Sequence, residues 1–258
     1  MPAFKIEKPQ AVPYLKTLII GKPKIGKTTF LGTSPLKTLI LDFEGGDSVL
    51  PIRDNLDIVR ITDLSQFDDV YDFLINDKHG YELLGIDSIS EINDKMFLEL
   101  LEQEADKHKR RDLNRPEIQD YNILQFAMSR LMRSFRDLPM HVIMTAHPVE
   151  ILSKDQGYQQ WPKMTPKKMP TIATGMMHEV TYYVRDTEGK RYLLLENFPE
   201  FGGIGCRVRD GINLPNAIEE PTLPLYFDAL RGEMQNKEVV PTFFEEKVQE
   251  DNSEKETE

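Results

Sequence analysis

The stretch Leu18–Gly32, LIIGKPKIGKTTFLG, sets three aliphatic residues directly before a run in which Gly21 and Gly26 lead into Lys27 and two threonines. Leu18, Ile19 and Ile20 read as a buried strand. Gly21, Lys22, Pro23, Lys24, Ile25 and Gly26 then form a turn, and Lys27, Thr28 and Thr29 open a helix. The spacing is G-x-x-x-x-G-K-[ST], the pattern of a phosphate-binding loop. Glycines let backbone N–H groups curl around a phosphate without a Cβ in the way. The start of the helix adds unpaired N–H groups and partial positive charge. Lys27 can reach the β- and γ-phosphates, and the Thr28 hydroxyl can ligate Mg²⁺.

Outward from this loop, apolar strand-like runs alternate with helical ones. The runs at 38–44 (TLILDFE), 56–62 (LDIVRIT), 81–88 (YELLGIDS), 141–147 (HVIMTAH), 179–185 (EVTYYVR) and 191–197 (RYLLLEN) read as strands. Helical patterns lie between them. In one, Ile123, Leu124, Ala127, Met128, Leu131, Met132 and Phe135 share a face. Such alternation predicts an α/β fold: a mostly parallel central sheet with helices on both faces. The core is expected over residues 16–231, after an N-terminal arm of residues 1–15. Residues 232–258 form an acidic tail, expected to be disordered: its last fourteen residues hold seven acids and two lysines. Two long stretches, Lys107 to Gln119 and Pro148 to Gly175, read as irregular, and long loops inside a compact domain are usually functional or disordered.

Of the 258 residues, 40% are hydrophobic, enough for a substantial core. The polar first ten residues do not read as a secretory signal, and no stretch approaches a membrane span. A single cysteine, Cys206, excludes an intramolecular disulfide framework and a zinc cluster built from several cysteines. A cytoplasmic location is expected, with no membrane partner. The net charge of −11 argues against a generally cationic nucleic-acid binder and leaves room for a local basic groove.

Several strand ends carry candidate chemistry. Asp87 closes an apolar strand, where an acid can hold Mg²⁺ through water; the alternative is a cap for the next helix. Asp42 and Glu44 fall on one side of their strand, with Phe43 opposite. Glu44 is the candidate to polarise an attacking water, with Asp42 in support or on the metal; a solvated loop acid is the alternative. Thr145 and His147 stand at the tip of another strand, where a polar group can sense a γ-phosphate and relay its presence into the following loop.

Taken in order, these residues resemble the RecA-like (AAA/RecA-type) ATPase core. They are most similar to phage-encoded RecA-like ATPases associated with single-strand annealing and recombination. Glu44 in LDFEGG matches that family's glutamate after the second strand, and Asp87 and Ser88 in GIDSIS match its metal-holding strand and the serine that follows. His147 stands where RecA has a glutamine that couples ATP to the DNA loop. The resemblance covers about Lys16 to Arg209 and implies a RecA-like P-loop NTPase fold, with ATP and Mg²⁺ as cofactors. It further implies DNA-binding loops in the two irregular intervals. The first holds KHKRRDLNR (Lys107 to Arg115), which a charged helix end explains equally well. In the second, Tyr158 and Trp161 lie among Lys154, Lys163, Lys167 and Lys168, so that aromatics can stack on bases while lysines neutralise phosphates. Arg207 and Arg209 correspond to a basic-x-basic pair that reaches the nucleotide of a neighbouring subunit, with surface ion pairs as the alternative. The partners implied are single-stranded DNA, further copies of the chain in a ring or filament, and a single-strand binding protein. Two competing functions remain at this point: a P-loop kinase of a small metabolite, and a nucleotide-gated DNA-binding or assembly factor with negligible turnover.

Overall fold

The computed structural model describes residues 14–107, 112, 114–153, 157–208 and 211–234. The expected arm up to residue 13, most of the KHKRR segment, Lys154, Arg209 and most of the acidic tail lie outside the described residues. The first half runs β1 (Lys16–Gly21), α1 (Lys27–Leu31), β2 (Thr38–Asp42), a 3-10 turn (Gly46–Val49), β3 (Leu56–Arg60), α2 (Gln66–Asn76), β4 (Leu83–Asp87) and α3 (Ile89–Lys107). The second runs α4 (Ile118–Arg136), β5 (His141–Ala146), β6 (Pro148–Ser153), β7 (Gly157–Pro162), α5 (Met169–Met176), β8 (Glu179–Arg185), β9 (Arg191–Leu194), β10 (Gly205–Cys206), β11 (Ala217–Glu219) and α6 (Leu223–Arg231).

A nine-stranded sheet orders its strands β11-β9-β8-β1-β5-β4-β2-β3, with β10 also paired to β8. From β8 to β3 every neighbouring pair is parallel. This order puts β5 between β1 and β4, so the carboxyl ends of β1, β2, β4 and β5 gather along one edge. Such an edge is where open α/β sheets take ligands.

Period-two alternation divides β1 between two cores. Leu18 and Ile20 face the layer built by α2, α3, α4 and α5. Ile19 faces the layer of α1 and α6. Burying each such side chain contributes about 1.5–3 kcal/mol. With five residues, α1 is too short to persist alone. Phe30 and Leu31 hold it down, the Phe30 ring meeting Tyr183 at 5.9 Å and Tyr226 at 6.2 Å. Gly85 in mid-strand makes room for this helix: a Cβ there would sit 3.2 Å from Leu31 Cδ1. In α4, Leu124, Met128, Met132 and Phe135 are buried, whereas Ile123 stays 47% exposed, so the buried face is narrower than the apolar spacing implies.

The stretch from Pro148 to Gly175, expected to be irregular, is instead a six-rung antiparallel hairpin, β6–β7, followed by α5. The strand read at 191–197 ends at Leu194. From there the chain leaves the sheet and lays Phe201 on Tyr182, ring centroids 4.6 Å apart, before returning as β10. The short strands β10 and β11 complete the sheet and carry too few residues to show alternation in the sequence.

Candidate functional site

The turn from β1 into α1 owes its path to two glycines. A Cβ on Gly21 would lie 2.7 Å from the Tyr183 carbonyl oxygen, and Gly26 caps α1 at φ 119°. Lys27 is 5% exposed, and its ammonium donates to the carbonyls of Gly21 at 2.8 Å and Lys22 at 3.1 Å. It also stands 3.5 Å from His147 Nδ1. Burial lowers the Lys27 pKa against the opposing pull of Asp87 and Glu44.

Side chains from the ends of three strands, β2, β4 and β5, meet around this ammonium. Asp87, at the end of β4, accepts from Thr28 Oγ1 and from Thr145 Oγ1, each at 2.5 Å. Burial pushes the Asp87 carboxyl up despite both hydrogen bonds, and the Glu44 charge adds to the rise. Glu44 Oε1 accepts from Ser88 Oγ at 2.5 Å and lies 2.8 Å from His147 Nε2. Burial alone would raise the Glu44 pKa; the His147 and Ser88 hydrogen bonds and the Lys27 charge outweigh it and bring it below the usual value. His147 thus faces Glu44 with Nε2 and Lys27 with Nδ1, and bridges the two. Ser90 Oγ accepts the His147 backbone N–H at 3.0 Å and fixes the strand tip.

Asp42 differs from Glu44 in its use. Its Oδ1 accepts the backbone N–H groups of Glu44 at 3.0 Å and Gly45 at 2.9 Å. That carboxylate therefore shapes the loop after β2, which passes over Thr28: a Cβ on Gly46 would sit 3.3 Å from Thr28 Oγ1.

The other flank of the loop belongs to β8 and β9. A Cβ on Gly26 would lie 3.3 Å from Arg191 Nη1 and 3.5 Å from Tyr183 Oη. Burial raises the Tyr183 pKa, and Arg191, which donates to its hydroxyl, opposes the rise. Arg191 Nε is 3.7 Å from Glu220 Oε2, and its backbone N–H donates to Glu220 Oε1 at 3.0 Å.

The remaining candidates are scattered. Tyr158 is 68% exposed at the hairpin tip, opposite Leu152, which is 65% exposed. Trp161 is half-buried with its indole against Gly202, where a Cβ would fall 1.9 Å from Cε2. Lys163 is paired with Asp94 at 2.8 Å, and Lys167 and Lys168 are exposed before α5. Arg207 follows β10 and donates its N–H to the His178 carbonyl, at the amino end of β8 and far along the sheet from Gly21. Ser90, Asn93, Tyr183 and Arg191 escaped the sequence reading. Asn93 clamps the chain beyond the hairpin, exchanging two hydrogen bonds with the Thr165 backbone at 2.7 and 2.9 Å. Only tertiary structure brings Ser90, Tyr183 and Arg191 to the site.

A phosphate-binding loop at the carboxyl edge of a mostly parallel sheet, with helices on both faces, defines a P-loop NTPase. The comparison with known families agrees: a family model described as AAA domain matches residues 14–203, and the chain belongs to this family of nucleotide-binding P-loop ATPases. No curated protein matches the chain. Among the described residues, no helix is long and apolar enough to cross a membrane.

Proposed function

We propose that the chain is a Mg²⁺-dependent, RecA-like ATPase acting on single-stranded DNA in phage recombination, annealing or replication. One observation carries this reading: Lys27, Glu44 and His147 form a contiguous chain of contacts beside the Thr28–Asp87 pair. The donor set suits the metal. Thr28 supplies a hydroxyl oxygen and Asp87 a carboxylate behind it, hard oxygens of the kind Mg²⁺ accepts while keeping its waters. Bound there, Mg²⁺ would neutralise charge on the phosphates. Lys27 would exchange the Gly21 and Lys22 carbonyls for phosphate oxygens. Glu44, held ionised at neutral pH, would orient and deprotonate the attacking water. His147 touches both Glu44 and Lys27 and immediately precedes β6, so changes at the terminal phosphate would reach the hairpin root.

For DNA, the exposed Tyr158 ring is the better stacking surface, and Trp161 serves to seat the hairpin on Gly202. Lys167 and Lys168 would meet phosphates; Lys163 would first have to leave Asp94. Arg207 stands at the end of the sheet opposite its own phosphate loop, so it could serve a nucleotide only in another copy of the chain. In that role Arg207 would require a head-to-tail assembly, a ring or a filament.

The test is phosphate release with and without single-stranded oligonucleotide, with particle mass measured in parallel. Stimulated turnover in an assembly supports the reading, whereas turnover that ignores DNA, or that demands a small-molecule acceptor, overturns it. Tyr158→Ala is expected to weaken DNA binding roughly 5- to 150-fold, the ~1–3 kcal/mol of one stacked base. Trp161→Ala is expected to lower the melting temperature more than it lowers the DNA affinity of the folded protein.

A further inference from the structure

Strand β1 carries the phosphate loop between two unlike flanks. On the β5 side stand His147, Glu44, Thr145 and Asp87, the groups that meet Lys27 and Thr28. On the β8 side stand Tyr183 and Arg191. Arg191 belongs to β9, which runs antiparallel to β8 and so begins at the level of the loop. Resting on the nucleotide-binding reading above, we propose that Arg191 is a second cation of the nucleotide site, supplied by the same chain, and that it grips the α-phosphate end that ADP and ATP share.

Three observations support this assignment. Arg191 Nη1 stands 3.3 Å from the point where a Gly26 Cβ would be, so the guanidinium borders the loop backbone itself. Its position is built: the Tyr183 hydroxyl accepts from it, and Glu220 holds its backbone N–H. Its carboxylate partner is distant, at 3.7 Å from Nε, with both side chains well exposed (38% and 58%). An exposed pair of that kind contributes little to stability and leaves the guanidinium edge open to a phosphate oxygen. The flank sets which phosphate. Lys27, Glu44 and His147 cluster toward β5, where a terminal phosphate and its attacking water belong. Across β1, Arg191 is left with the other end of the phosphate chain.

Binding of a fluorescent ADP and of a non-hydrolysable ATP analogue would be titrated in wild type, Arg191→Ala, Arg191→Lys and Lys27→Ala, with a thermal melt for each. Arg191→Ala is expected to lose about tenfold or more in affinity for both nucleotides, the scale of one charge-assisted hydrogen bond, with the ratio between them unchanged. Arg191→Lys should recover part of the loss, keeping the charge without the fork. Should Arg191→Ala melt early, Arg191→Gln takes its place and carries the same expectation. Unchanged affinity for both nucleotides overturns the proposal, as does a loss confined to the ATP analogue. If wild type binds neither nucleotide, the nucleotide reading itself fails. If wild type binds and Lys27→Ala does not while Arg191→Ala binds normally, only the role of Arg191 falls.

Discussion

The two ends of the sheet each bury a lysine and a carboxylate, Lys16 with Glu179 and Lys27 with Asp87, and tie them to different kinds of partner. At the amino end, Lys16 Nζ donates to the carbonyls of Leu138 and Met140, both at 2.6 Å. Glu179 accepts from the Lys16 backbone N–H at 3.0 Å and from the Thr17 hydroxyl at 3.2 Å. Burial pushes Glu179 up to about 7 and, outweighing the pull of Asp137, pushes Lys16 down to about 8. At the carboxyl end burial likewise lowers Lys27 and raises Asp87, but the more exposed Glu44 beside them is drawn down, because burial is outweighed by His147, Ser88 and Lys27. The amino-end lysine is spent on fixed backbone carbonyls. The carboxyl-end groups lean on loop carbonyls and on one another, partners that a ligand can displace. Residue type does not separate a structural cluster from a working one; what its partners are attached to does.

The sharpest way to break this contrast is to remove the two lysines separately. Lys27→Ala is expected to cut ATP turnover by at least about a hundredfold while the protein stays folded, since Lys27 would stabilise charge in phosphoryl transfer. Turnover and a circular-dichroism melt check it together. Next in size, Glu44→Gln should keep nucleotide affinity within about threefold and lose hydrolysis, because an amide cannot accept the proton. An equal loss of binding would move Glu44 to the structural class. Lys16→Met should do the reverse of Lys27→Ala: nucleotide affinity unchanged, stability lower by about 2–5 kcal/mol as two buried carbonyls lose their donor, read by denaturant titration.

The smallest effect concerns pH. From its ordinary value of 4.5 to about 7, Glu179 stays protonated in the folded chain while the unfolded chain releases the proton. Its contribution to stability therefore falls as pH rises through that window and levels off above about 7. Glu179→Gln is expected to remove this slope and to stabilise the protein by roughly 1–3 kcal/mol at pH 8, with little effect at pH 4.5. Urea titrations at the two pH values would show it.

Legibility in the sequence followed the range of the forces involved. Gly21 to Thr29 is a local pattern whose chemistry is complete within nine residues, so the sequence alone reveals it. The alternating strands announce a sheet buried on both faces, and with it the strand-end acids Glu44 and Asp87. The hairpin was hidden because Pro148, Gly157 and Pro162 look like loop residues, and its stability comes from elsewhere. Gln160 exchanges backbone hydrogen bonds with Glu200 and Gly202, and the Tyr182 hydroxyl donates to the Gln160 carbonyl at 2.7 Å. Arg191 was hidden for another reason: only the antiparallel return of β9 carries it to a loop about 165 positions earlier in the chain.

The seat of that hairpin has a mechanical consequence. Its root is the Pro148–Pro162 rung, tied to the site by the Lys163 N–H bonded to the His147 carbonyl at 2.7 Å, and its far rung is Ser153–Gly157. Gln160, clamped by Glu200, Gly202 and Tyr182, lies between the two, where a fulcrum would sit. From Gln160 the chain runs three residues to Lys163 and three to Gly157, arms of about 10 Å each at ~3.3 Å per residue. A stiff ribbon pivoting there is a seesaw with a mechanical advantage near one. With Gln160 as a pivot, a displacement of about 1 Å at the His147 end would return at the Gly157 end with similar size and opposite sense, and pulling the root toward the phosphate crevice would tip the neighbouring Tyr158 away from it.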